Sequence, residues 1–423
     1  MIRLKTYKFN ELYKMSSGIS SKPEQAGYGS PFLSFSTIFN NYFLPDKLPD
    51  AMNTSKEEQE NYSIRKGDVF LTRTSETLGE LAMSSVSLKD YPKATFSGFA
   101  KRLRPIQKDI TYDKFMGFYL RSEYFRKIIN NNATMTLRAS FNENIFSYIK
   151  VQLPDYQTQV QIGNLLYNLE EKKALNDKIN KELESLAKTI YDYWFVQFDF
   201  PNEEGKPYKT SGGKMVWNET LKQQIPEGWS NGTLSDIGDI IGGSTPSKKN
   251  SDYFSSNGTA WITPRDLSMN LGNKFIVRGN LDVSDLGIKA ASLKIMPKGT
   301  VLLSSRAPIG YMAVANGIVT TNQGFKSFVP KKNYSTPFMF YAIKNSLPEI
   351  IKNASGSTFK EVSGSVLKTI KITLPPKSII SNYTKKVSSI FERQSTLELE
   401  NNELTGLRDW LLPMLINGQV KFR

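Results

Sequence analysis

From Thr158 to Phe195, apolar side chains return every seven residues in two interlocked rows. Ile162, Leu169, Leu183 and Ile190 form one row; Leu165, Ile179, Leu186 and Tyr193 form the other. Steps of three and four keep both rows on one narrow helical face, the pattern of a coiled-coil seam. A continuous helix over this stretch is about 57 Å long, far beyond an ordinary globular helix, and reads as a spacer. Leu153-Pro154 opens it, because proline fixes φ and lacks an N–H that the first helical turn would leave unused. Lys172 and Asn176 stand where the rows require apolar side chains. Each reads either as a wet patch on a solvent-facing helix or as a polar pin that selects one register.

The pattern occurs twice. Ile370-Lys371-Ile372-Thr373-Leu374-Pro375 repeats Ile149-Lys150-Val151-Gln152-Leu153-Pro154 at a separation of 221 residues. The same separation carries Leu169 to Ile390, Leu183 to Leu404, Leu186 to Leu407, Ile190 to Leu411 and Tyr193 to Met414. Before each helix the chain echoes itself more faintly. Lys66-Gly67-Asp68-Val69 matches Lys298-Gly299-Thr300-Val301, Thr95 to Phe99 matches Thr321 to Phe325, and Ser17 to Pro23 matches Gly242 to Lys248. Short β-rich runs (Pro31 to Ile38, Trp261 to Thr263) alternate with helical stretches near Lys114 to Asn130 and Pro337 to Lys352, so both regions read as α+β. The expected division is 1–153, a compact domain; 154–200, a helical spacer; 201–224, a polar linker; 225–374, a second compact domain; and 375–423, a second helical spacer.

Composition narrows the chemistry. A net charge of +15 suits a phosphate-rich partner. Cysteine and histidine are both absent, which excludes disulfides, thiolate or imidazole metal sites, a cysteine nucleophile and any histidine-dependent triad. No apolar run reaches bilayer length and the N-terminus lacks a signal-peptide apolar region, so the expectation is a cytoplasmic protein without a membrane partner. Gly242 to Lys249 lacks the spacing of a triphosphate-binding loop, and Pro246 removes a donor from it. Neither an Asn/Asp-Pro-Pro-Tyr/Phe methyltransferase string nor a nuclease P-D…(D/E)-x-K pattern is present. No catalytic site and no bound cofactor or metal are expected.

Basic side chains flanked by Gly, Ser or Thr are the candidate contacts to a phosphate-rich partner such as a nucleic acid, since small neighbours let backbone N–H groups approach phosphates. In the first domain these are Lys22, Arg73, Lys101, Arg102 and Arg138, with Ser140. In the second they are Lys248, Lys249, Arg265, Arg306, Lys326 and Lys360, with Thr321, Asn322 and Gln323. Arg73, Arg265, Arg306 and Gln323 are the candidates for reading base edges, because Arg and Gln bond bidentately to guanine and adenine. The competing reading of any one of them is an exposed solubilising charge. The aromatic cluster Tyr191, Tyr193, Trp194, Phe195, Phe198 and Phe200 reads as packing rather than as a base-stacking platform.

The whole chain resembles the specificity subunit of type I restriction–modification enzymes. The residues that carry the likeness are the two Leu-Pro helix entries, Asp192 to Pro201 (DYWFVQFDFP), Gly205-Lys206-Pro207-Tyr208, Ile225-Pro226-Glu227-Gly228-Trp229, and Leu411 to Gly418 (LLPMLING). The resemblance implies an α+β fold with a pseudo-two-fold internal repeat. Two similar target-recognition domains would be separated by two long helices packed as an antiparallel coiled coil. It implies a non-catalytic subunit reading a bipartite, non-palindromic site in double-stranded DNA. Its partners would be two methyltransferase subunits, which bind S-adenosylmethionine, and restriction/translocase subunits. Tyr193, Trp194, Phe195, Leu411 and Met414 are the expected partner contacts. The alternatives are a stand-alone tandem DNA-binding regulator, which would bind DNA tightly without an enzyme, and a coiled-coil adaptor, which leaves the basic loops unexplained.

Overall fold

The computed structural model describes residues 2–20, 22–132, 139–306, 308–356 and 360–420. The chain divides into two units, one of residues 1–174 with 402–423 and one of residues 175–401. Two long helices, Tyr156–Tyr191 and Lys377–Ile416, each contribute one end to each unit.

In the first unit an antiparallel sheet orders the strands Tyr13–Ser17, Ala100–Pro105, Val69–Thr72 and Ser84–Val86. A three-stranded sheet of Asp50–Met52, Ala26–Leu33 and Thr95–Phe96 accompanies it. Helices Asp113–Tyr119 and Glu123–Asn132 cover a core of Phe9, Tyr13, Phe115, Phe118, Phe125 and Leu153. Ile162 and Leu166 from the central helix and Leu412 and Leu415 from the C-terminal helix complete that core.

The second unit repeats the plan. A five-stranded sheet orders Gly238–Gly242, Lys326–Pro330, Val301–Leu303, Met312–Ala315 and Phe275–Ile276, and a four-stranded sheet contains Thr259–Ile262 and Val319–Thr321. The repeat is clearest where each domain closes. Lys5–Lys8 pairs antiparallel with Lys150–Leu153, and Ser230–Thr233 with Lys371–Leu374, so first and last strands meet and deliver the chain to Leu-Pro at a fixed place. Residues 202–224 form an ordered excursion on this unit. Met215–Asn218 pairs with Gln223–Pro226, Phe200 stacks on Tyr208 at 4.7 Å, and Asp199 accepts from the Thr210 amide at 2.7 Å and its hydroxyl at 2.6 Å.

The helix seam keeps one expected row and shifts the other. Ile162 is buried and Leu169, Leu183 and Ile190 are half-buried, as the first row requires, with Asn176 fully buried between them. The second row holds at Leu165 and Ile179, which are half-buried, and fails at its far end, where Leu186 and Tyr193 face solvent. The buried side lies one residue later, at Leu166, Ala187 and Trp194, with half-buried Lys173 and Asn180 between them. Polar residues at the middle of the true row make the neighbouring apolar row look like the seam.

In the second unit the Asn176 amide donates to Glu400 at 2.9 Å and to the Asn401 side chain at 3.0 Å, while Gln394 donates to the Asn180 carbonyl at 3.3 Å. Partner numbers fall as central-helix numbers rise, so the helices run antiparallel there. Asn176 therefore behaves as the pin, and Lys172 as the solvated position. In the first unit Arg408 pairs with Glu170 at 2.5 Å and lies over the Tyr42 ring.

Candidate nucleic-acid interface

In the first unit, residues 17–19 cross over residues 96–98. Ile19 N–H donates to the Phe96 carbonyl at 2.9 Å and Gly98 N–H to the Ile19 carbonyl at 2.8 Å. A Cβ on Gly18 would overlap the carbonyl oxygens of Ser97 and Phe96, so only glycine allows the crossing. Opposite Ser17 in register stands Lys101, whose ammonium donates to the Ser17 hydroxyl at 2.8 Å. Burial, with repulsion from nearby Arg73, holds the Lys101 pKa below the usual lysine range against the weaker pull of Glu143. Arg73 is fixed by its backbone, its N–H on the Phe99 carbonyl and its carbonyl accepting from Phe141 N–H, both at 2.8 Å. Its side chain is exposed. Ser140 pairs with Thr74 beside it, and the Phe99 ring projects into solvent next to the same corner.

The second unit builds the same corner from different residues. Ser244 N–H donates to the Thr321 carbonyl at 3.0 Å, and a Cβ on Gly243 would overlap the Asn322 and Thr321 carbonyls. Lys326 stands opposite Gly242, as Lys101 does opposite Ser17. Ser305 N–H donates to the Gly324 carbonyl at 2.7 Å and Ser305 carbonyl accepts from Val362 N–H at 2.9 Å. The hydrogen bonds thus equate Gly18 with Gly243, Lys101 with Lys326, Arg73 with Ser305, Ser140 with Glu361, and Phe99 with Gly324. The expected match of Thr95–Phe99 to Thr321–Phe325 is corrected by one residue, which the loops' unequal side chains concealed. Arg306 Nε pairs with Glu361 at 2.9 Å, and Lys326 lies 3.7 Å from the same carboxylate. Sequence reading missed Glu361, although the 221-residue separation already placed it opposite Ser140.

A family profile described as the type I restriction modification DNA specificity domain matches residues 3–185 and again 226–408. The chain belongs to that family. It is a non-catalytic DNA-recognition subunit of a type I restriction–modification system. It is 26% identical over 444 residues to the HindI specificity subunit of Haemophilus influenzae, covering 92% of this chain and 94% of that one. It is 42% identical over 168 residues to the MjaIX specificity subunit of Methanocaldococcus jannaschii, covering 38% of each. The crystal structure of a type I S subunit from M. genitalium shares the fold, with a TM-score of 0.63 at 14% identity over 98% of this chain and 96% of that one.

Within the specificity subunit the basic candidates separate. Arg73, Lys101 and Ser140 meet in one corner; Arg306, Lys326, Asn322 and Gln323 meet in the other, where Gln323 accepts from Thr245 and Asn322 Oδ1 accepts from Gly324 N–H at 2.9 Å. Arg265 lies in the first turn of the helix Pro264–Met269, whose proline ring abuts Gly324, and Lys360 is exposed beside Glu361. Arg102 is corrected: it follows Lys101 on a strand and so points to the opposite face. Its guanidinium donates to the Ser63 carbonyl at 2.6 Å and lies over Phe96, and burial brings its pKa down to about 10. Thr321 is corrected likewise, being buried beneath the corner rather than displayed on it. Lys22, Lys248 and Lys249 are exposed, and among the described residues no hydrogen bond or ion pair joins their side chains to either corner. Arg138 lies outside the described residues.

Trp194 and Phe195 are not surface contacts. A π-turn over Asp192–Val196 carries both into the second unit's core, where Phe195 meets Phe338 and Tyr383 edge-on, each at 4.9 Å. Leu411 is half-buried against the first unit's core and Met414 is half-buried, while Tyr193 remains exposed. The exposed apolar pair that the repeat relates is Leu186 at 49% and Leu407 at 43%. No helix among the described residues is long and apolar enough to cross a membrane.

Proposed function

We propose that each unit reads one half of a bipartite, non-palindromic site in double-stranded DNA. The proposal further has the helices seat two methyltransferase subunits, with restriction/translocase subunits joining the assembly. The observation that carries it is the corner built twice: a glycine crossing that only glycine permits, with a lysine held at the matching register position in each unit. A lysine ammonium beside exposed arginine suits a phosphate with a base edge next to it, although in the first unit Lys101 is largely buried (8% exposed) and reaches the surface at its Ser17 contact. The corners differ in the residues around that frame, which fits two unlike half-sites. Leu186 and Leu407, exposed at repeat-related positions, suit two copies of one partner. In this reading S-adenosylmethionine belongs to the methyltransferase partner, as the resemblance to specificity subunits implies.

Mapping methylated adenines in a host carrying this chain and its methyltransferase tests the reading. The expected motif is two unlike half-sequences across a fixed gap. A continuous or palindromic motif refutes it, and tight DNA binding by the chain alone without any methyltransferase supports a free-standing regulator instead.

A further inference from the structure

Glu361 is out of place in a corner that binds phosphates. It occupies the position that Ser140 fills in the first unit, within the same hydrogen-bonded frame, and it bridges Arg306 and Lys326. Toward a DNA backbone it is unfavourable twice over, repelling phosphates and neutralising two cations that would attract them. Yet it is held firmly. Its backbone exchanges hydrogen bonds with Ser355 at 2.8 and 3.0 Å, and each carboxylate oxygen faces one cation while the side chain stays one-third exposed. A carboxylate oxygen accepts more than one bond, so acceptor capacity remains toward solvent.

Resting on the reading of this corner as a DNA interface, we propose that Glu361 is a specificity-determining residue that accepts a hydrogen bond from the N4 amino group of a cytosine in the major groove. Ionised carboxylates only accept, and the major groove offers donors only on cytosine N4 and adenine N6. At adenine the neighbouring N7 acceptor would face the second carboxylate oxygen, so cytosine fits and adenine does not. Arg306 and Lys326 orient the carboxylate and offset its repulsion from the flanking phosphates. The first unit, with Ser140 at this place, has no such selection.

The experiment uses the full chain with its methyltransferase subunit, selecting from duplexes randomised over both half-sites. The parent selects cytosine at one position of one half-site. Glu361→Gln moves that position toward adenine by roughly tenfold, because a glutamine amide donates to N7 and accepts from N6. Glu361→Ser, which installs the first unit's residue, relaxes the same position, and neither changes the other half-site. If both variants select the parent's sequences and differ only in uniform affinity, the carboxylate is a structural bridge and the inference is overturned. Lys101→Ala and Lys326→Ala separate this from the underlying reading. Should both bind DNA as tightly as the parent, the corners are not the interface and the reading itself falls.

Discussion

Replacing Lys274 with methionine removes a cation buried where the second unit's sheet meets the long helices. The Lys274 ammonium meets Glu184 at 2.5 Å, Gln394 at 2.7 Å and the Tyr341 hydroxyl at 3.2 Å, and lies 3.8 Å from the Phe391 ring centroid. Its backbone N–H and that of Phe275 donate to Glu398 at 2.9 and 2.8 Å. Removing one partner of a buried ion pair costs about 3–5 kcal/mol, because the other charge stays desolvated. Here Glu184 keeps Lys344 at 2.9 Å and Glu398 keeps both backbone donors, so the lower end applies, about 3 kcal/mol. Four of the five tryptophans lie in this unit, three of them buried (Trp194, Trp229 and Trp261), so tryptophan fluorescence in a urea titration follows its unfolding. Adding Glu184→Gln to Lys274→Met should recover about 1 kcal/mol by removing the carboxylate that Lys344 alone then neutralises. A loss below roughly 0.5 kcal/mol for Lys274→Met, or no recovery in the double variant, would refute the argument that this charge is what the surrounding carboxylates require.

Burial pushes the Glu398 carboxyl up to about 7. Between about pH 4.5 and 7 the folded state therefore keeps a proton that the unfolded chain has released, so the second unit loses about 3 kcal/mol as pH rises through that window. Glu398→Gln should flatten this slope in the same fluorescence titration, and an unchanged slope would contradict the assignment. Gly18→Ala and Gly243→Ala should each cost about 1–3 kcal/mol in their own units, since the opposing carbonyls are backbone and cannot swing away. Gly79→Ala, with open space around the added methyl, serves as the silent control, and thermal melts that cannot tell it from Gly18→Ala would count against the crossing geometry. Leu186→Asp and Leu407→Asp should each remove one methyltransferase subunit from the complex, read as a mass difference by native mass spectrometry; retention of both subunits would place docking elsewhere.

The pattern along the chain determined the helices, their duplication and the first seam row, because a seven-residue apolar period survives without knowledge of any partner. Composition determined what chemistry is impossible. It could not locate the second seam row, since Lys173, Asn180, Gln394 and Asn401 are polar and take their place in the interface only through one another and the facing helix. Nor could it separate Lys101 from Arg102: both are basic and adjacent, and only the sheet decides which faces Ser17 and which turns inward to Ser63. Trp194 and Phe195 read as packing from the sequence, but the wide turn that carries both into the core, and so removes them from the partner surface, is not encoded in the apolar pattern. Local periodicity records how a segment repeats, whereas the direction of a side chain and the partner that satisfies it arise from residues far away in the chain. The two corners are therefore a product of tertiary structure, brought together by strand register and two glycine crossings that no single stretch of sequence contains.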